Sequence, residues 1–147
     1  MKKYRFRLEP VLRVRRVQEE LAKAELLAAN REVARAEDLL QTRFDRYRQM
    51  PEPRGTMDAG AFLASRDRAE LVAAGVVAAG ALRQAARERA VAQQQLWSFA
   101  ARRVTGLERL DARGRAEHAV EAGREEDREA DEIVVTRYRR RGPGGAS

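Results

Sequence analysis

The chain has no cysteine among its 147 residues, which excludes disulfides, thiolate catalysis and Cys-bound zinc or iron–sulfur centres. It has one histidine, four prolines and only 5% aromatic residues, against 36% charged residues and a wealth of Ala, Arg, Glu and Leu. That balance fits long helices better than a globular core. No stretch approaches the roughly 18 consecutive apolar residues that a membrane-spanning helix needs. Met1, Lys2 and Lys3 open like a signal peptide, but Arg5, Arg7, Glu9 and Arg13 stand where its apolar centre belongs. A cytoplasmic protein that is not exported by these routes is expected. A glycine-rich phosphate loop, a nucleophile elbow and a histidine pair are also missing. The expectation is a non-enzyme with no cofactor, no metal and no small-molecule ligand.

What is present is a pair of apolar stripes at alternating spacings of four and three. The first runs Leu12, Arg15, Glu19, Ala22, Leu26, Ala29, Val33, Ala36, Leu40, Arg43, Tyr47, apolar throughout from Ala22 to Leu40. The second runs Ala69, Val72, Val76, Ala79, Arg83, Ala86, Ala90, Gln93, Trp97, Ala100, Val104, Leu107, broken only by Arg83 and Gln93. Such spacing is the seam of a coiled coil. In the same register the next positions are Asp111, Gly114, His118, Glu121, Glu125 and Arg128, none of them apolar. The second seam is therefore expected to stop at Leu107.

Between the stripes, Pro51, Pro53 and Gly55 interrupt any helix, and Thr56 or Asp58 can cap the next one. Two amphipathic helices joined by a short break bury their stripes against each other most readily as an antiparallel hairpin. The expected fold is all-α: an elongated antiparallel two-helix coiled coil whose second helix is the longer. The N-terminal region and first helix occupy 1–50, the turn 51–57 and the second helix 58–141, with 108–141 a charged extension beyond the seam and 142–147 a flexible tail. At about 1.5 Å per residue, helices of about 40 and about 80 residues would extend roughly 60 and 120 Å. With the fold point near Arg54, position i should face position 109 minus i, about the turn of the pair. Leu40 then meets Ala69, Val33 meets Val76, Leu12 meets Trp97, Arg43 meets Arg66, and Leu107 meets Lys2. The two opposed arginines are expected to turn outward to Asp45, Asp67 or Glu70.

A net charge of +7 and a pI near 10.6 make nucleic acid a candidate partner. Acids and bases are nevertheless interspersed along both helices, apart from Arg137, Arg139, Arg140 and Arg141, and only three of the thirty basic residues are lysine. This is the solvated face of a coiled coil. No specific nucleic acid is expected. His118, beside Glu117 and Glu121, is read as a surface residue, since a metal needs more convergent ligands. Glu125, Glu126, Asp127, Glu129, Asp131 and Glu132 alternate with arginines as a salt-bridged face. Trp97 is read as a core residue, and Phe99 lies off the seam.

The opening Phe6, Leu8, Val11, Leu12 and Arg15, with Glu19, Glu20 and Ala24 following, resembles the start of the flagellar FliJ family, whose F-x-L-x-x-V-L-x-x-R pattern leads into a long helix. Leu107 to Leu110, then Arg124 to Glu132 and Arg137, is similar to that family's charged tail. The likeness covers almost the whole chain. It implies a non-enzymatic, stalk-like and chaperone-like component of the flagellar type III export apparatus, cytoplasmic and peripherally associated with the inner membrane. Its implied partners are the export ATPase hexamer, the cytoplasmic part of the export gate, and export chaperones. Gate contacts carried over from the family fall on Leu40, Phe44, Tyr47, Phe62 and Ala69, with Arg43 and Arg66 departing from the pattern. The ATPase contact falls on the tail, at Arg124, Glu129, Asp131, Glu132 and Arg137. The alternatives are the stalk protein of a virulence-type secretion system, which the Phe6 and Leu8 opening disfavours, and a basic coiled-coil adaptor for nucleic acid.

Overall fold

A computed structural model of the chain describes residues 3–140. Among these residues there are two helices and no strand: α1 (Glu9–Arg48, 40 residues) and α2 (Ala59–Arg140, 82 residues), packed against each other as a helical hairpin. The expected contact at Lys2, the end of the extension at Arg141 and the tail at 142–147 lie outside the described residues.

The helix ends follow local chemistry. Pro10 sits in the first turn of α1, where its missing N–H costs nothing, and Glu9 there and Arg46 and Arg48 in the last turn complement the helix dipole. Beyond Arg48 the chain is non-helical to Asp58, with Gly55 in the left-handed region at φ 84°. Of the two expected caps it is Asp58 that closes α2: its Oδ1 accepts from Ala61 N at 2.6 Å, and its carbonyl accepts from Phe62 N at 3.0 Å.

The packed residues form two units, Arg16–Arg102 and Met1–Arg15 with Arg103–Ser147. In the first, Leu26, Ala79 and Ala86 are buried, with Ala79 only 2% exposed. Ala22, Ala29, Val33, Ala36 and Leu40 of α1 are half-buried, as are Ala69, Val72, Val76, Ala90 and Trp97 of α2. The Arg87 guanidinium reaches Glu37 at 2.5 Å across the two helices. With alanine dominating the α2 side, each layer buries little apolar area. Larger residues such as Leu26 therefore carry most of it, at about 25 cal/mol per Å².

In the second unit Leu12 is the most deeply buried side chain, at 1% exposure, and Val104 and Ala122 are buried while Leu107 is half-buried.

The register differs from the expected one. A Cβ on Gly75 would lie 3.9 Å from Arg43 Cδ, and a Cβ on Gly114 would fall on the Tyr4 side chain. The numbers of the facing helical residues Arg43 and Gly75 add to 118, not to 109. Leu40 thus stands about level with residue 78 and not Ala69, and Val33 with 85 and not Val76. Arg43 faces Gly75 and not Arg66, whose own partner is Glu70 at 3.0 Å. The turn rule assumed that both helices end flush at a tight reversal. Residues 49–58 are instead a non-helical linker of ten residues, able to span up to roughly 33 Å if fully stretched. The first turns of α2 accordingly run past the end of α1, a displacement of about nine residues, or roughly 14 Å.

The seam does not stop at Leu107 either. Asp111, Gly114 and His118 continue it as half-buried positions, and Ala122 after them is buried. From Arg124 to Arg139 every residue is exposed. The charged extension is thus corrected to begin after Gly123 and not at 108. The reason lies in the partner residue. The continuation packs against Tyr4, which needs a small residue and hydrogen-bond acceptors opposite it, so hydropathy alone shows nothing there.

Candidate interaction surfaces

Tyr4 belongs to a short non-helical segment ahead of α1, and its side chain lies across α2. Its hydroxyl donates to the Asp111 carbonyl at 3.2 Å. Its ring meets the His118 ring edge to face at 5.7 Å and the Arg115 guanidinium at 5.9 Å. Arg115 in turn holds the Asp111 carboxylate at 2.8 Å. The arrangement depends on Gly114, because a Cβ there would stand 2.5 Å from the Tyr4 hydroxyl oxygen and 3.3 Å from ring carbons. Desolvation against α2 pushes the Tyr4 phenol above its usual pKa, and the neighbouring Asp111 adds to the rise. The Arg115 guanidinium is raised by its hydrogen bond to Asp111.

The clasped segment and the start of α1 enclose an open hollow of about 840 Å³. Lys3, Arg5, Arg7, Arg13 and Arg115 line it, with Glu9 the carboxylate among them and Phe6 and Pro10 forming apolar wall. Four guanidinium groups around an apolar floor favour planar anions over neutral ligands. The reading of the sequence missed this site altogether. The available signal was the alternation Tyr4, Arg5, Phe6, Arg7, which puts aromatics on one side of an extended segment and cations on the other.

The residues carried over for the tail contact are all exposed on α2. Glu129, Glu132 and Arg137 share a shallow groove with Ile133 and Thr136, whereas Arg124 and Asp131 do not line it. Val134, Val135 and Tyr138 are exposed nearby. Among the gate-contact residues, Phe44, Tyr47 and Phe62 are exposed and Leu40 and Ala69 half-buried. Arg48 lies over the Phe44 ring at 5.9 Å. The register sets Tyr47 about level with residue 71, so Phe62 lies about nine residues nearer the start of α2 than that level.

A second apolar face was also missed. Two positions along from each seam residue of α2 come Leu71, Ala74, Ala78, Ala81 and Ala85, all exposed, with Leu71 75% and the flanking Val77 74% open to solvent. This face corrects the expectation about apolar length. α2 holds an 18-residue window with mean hydropathy 1.2 and no more than two charged residues, long and apolar enough to cross a membrane by length and composition only. The longest run of α2 without a polar side chain, Leu71 to Leu82, is only twelve residues, so a count of consecutive apolar residues falls short where a window average does not. Among the described residues no group of His, Asp or Glu is placed to hold a metal ion.

With this geometry in view, the comparison with known families is decisive. The family described as "Flagellar FliJ protein" matches residues 3–143. The chain belongs to the FliJ family. It is therefore a flagellar, export-related protein, in a family of non-enzymatic components of flagellar export. No curated protein and no solved structure matches it. The match takes in both the Phe6 opening and the charged tail. It also spans Tyr4 and Gly114, so the clasp and its hollow lie inside the family's extent.

Proposed function

We propose that this FliJ-family chain is a stalk-like, non-enzymatic part of the flagellar type III export apparatus, working in the cytoplasm beside the inner-membrane export machinery. In this reading the tail of α2 engages the export ATPase hexamer through Arg124, Glu129, Asp131, Glu132 and Arg137. Leu40, Phe44, Tyr47, Phe62 and Ala69 offer a face to the cytoplasmic part of the export gate, and export chaperones are further partners. Catalysis, nucleic acid and small-molecule ligands play no part. The observation that supports the reading best is the run from Arg124 to Arg139. It is a helical stretch that continues the hairpin's longer helix, keeps every side chain exposed, and carries both charge and apolar residues such as Ile133 and Tyr138. A helix of that composition that nothing in the described chain covers is suited to a separate protein surface.

The test is removal of residues 124–147 from the full chain. Because the packed positions end at Ala122, the truncated protein keeps its clasp and its helicity per residue, measured by circular dichroism. Stimulation of ATPase hexamer assembly should disappear. Undiminished assembly by a folded truncation refutes the tail as the contact.

A further inference from the structure

We propose that the chain pairs with a second copy of itself, the acidic stretch 125–132 of each copy seating against the basic hollow formed by residues 3–13 and Arg115 of the other. The hollow presents Lys3, Arg5, Arg7 and Arg13 as exposed cations that make no ion pair among the described residues, with Glu9 as the opposing carboxylate. Residues 125–132 are the reverse: six carboxylates and one arginine in eight positions, all exposed. Within one chain the two cannot meet. The acids begin ten residues beyond Arg115 on the same helix, about 15 Å further along a stiff rod.

A two-fold antiparallel overlap of two α2 helices brings them together twice over, which is what a self-complementary interface requires. Centred on Val120, such an overlap lays residue 128 of one copy level with residue 112 of the other, the level of the hollow, in both directions. The same centre opposes Arg113 of one copy to Asp127 of the other, and Arg109 to Asp131. Val120, at the axis, is an apolar residue 54% exposed in the single chain. Opposite charges therefore meet at the levels of Arg109, Arg113 and Arg115 in each copy, against like charges at Glu108 and Asp111, with an apolar contact at the centre. The wall of Phe6, Pro10 and arginine stems suits a helix with aliphatic stems between its carboxylates better than a small inorganic anion. The pairing covers Glu129 and Glu132, so it excludes the tail contact proposed above, yet its test does not depend on that contact.

The experiment is sedimentation equilibrium of the full chain at low and high salt, with two charge-reversed variants: Arg5→Glu/Arg7→Glu/Arg13→Glu and Glu126→Arg/Glu129→Arg/Glu132→Arg. The wild type should dimerise at low salt and weaken as salt screens the contact. Each variant alone should associate at least about tenfold more weakly, and an equimolar mixture of the two should pair again because its charges are swapped. If either variant loses helicity, the milder Arg5→Gln/Arg7→Gln and Glu129→Gln/Glu132→Gln forms must show the same loss in smaller measure. A wild type that stays monomeric overturns the proposal. So does a folded variant that dimerises like the wild type, or a mixture of folded variants that fails to pair. Binding of a polyglutamate peptide to a wild type that remains monomeric would assign the hollow to a foreign acidic segment instead.

Discussion

Gly114→Ala sets two effects of known sign against each other. Alanine in the middle of α2 raises helix stability by about 1 kcal/mol over glycine. The new Cβ, however, falls 2.5 Å from the Tyr4 hydroxyl, a distance no pair of such atoms tolerates. What must yield is the far end of a side chain on a terminal segment, so Tyr4 swings out and α2 keeps its path. The loss is then the clasp itself. The hydrogen bond to the Asp111 carbonyl contributes about 1 kcal/mol, and the ring contacts with His118 and Arg115 together contribute about another 1 kcal/mol at a half-exposed site. The net change in the wild-type background is a destabilisation of roughly 1 kcal/mol. In a Tyr4→Ala background the clasp is already gone, and the same substitution should stabilise by about 1 kcal/mol. The sign of the effect reverses between the two backgrounds. Thermal melts of the four proteins in this cycle measure it, and trypsin cleavage at Arg5 and Arg7 reports release of the segment directly. Equal effects of Gly114→Ala in both backgrounds, or unchanged protection of Arg5 and Arg7, would refute the clasp.

Three further outcomes follow from the same geometry. A cysteine pair at Val33 and Ala86 should crosslink within one chain, whereas a pair at Val33 and Val76, about nine residues out of register, should not. Mass spectrometry of the oxidised proteins distinguishes the two. The Trp97 indole N–H is buried with no hydrogen-bond partner among the described residues, so Trp97→Phe, which keeps a ring and removes the orphaned donor, should leave the melting temperature unchanged or raise it. Because the folded state raises the Tyr4 pKa, the folded chain holds that proton more tightly than the unfolded one. The clasp's contribution is fully present below the ordinary phenol value near 10 and is lost as pH rises through the raised value. Trypsin sensitivity at Arg5 and Arg7 should therefore increase at strongly alkaline pH, and a Tyr4→Phe protein should show no such pH step.

Much of the molecule is legible in the amino-acid sequence. The four-three stripes, the helix-favouring composition and the Pro51, Pro53 and Gly55 break are local properties, and local properties suffice for two helices, their boundaries and the faces they turn to each other. The likeness at Phe6 to Arg15 and at the charged tail is likewise a matter of residue order, and the family match over residues 3–143 agrees with it. The surfaces are less legible. Leu71, Ala74, Ala78, Ala81 and Ala85 repeat with the period of the seam, but two stripes on one helix cannot be ranked as buried or exposed from their spacing alone.

Register was decided by the tertiary structure, for a physical reason. Sliding one helix along another brings apolar seam positions opposite each other again every three or four residues, so the seam alone defines which faces meet but not which layers. Specific side chains break that near-degeneracy: Arg43 fitting over Gly75, Glu37 paired with Arg87, and Tyr4 seated on Gly114. The ten-residue linker is long enough to permit the offset they require. The polar continuation at Asp111, Gly114 and His118 follows the same logic. By itself it looks like the end of a seam. Opposite a tyrosine it is the last packed stretch of one, because a phenol ring asks of its partner a small residue, an acceptor and a neighbouring ring, and not a hydrophobe.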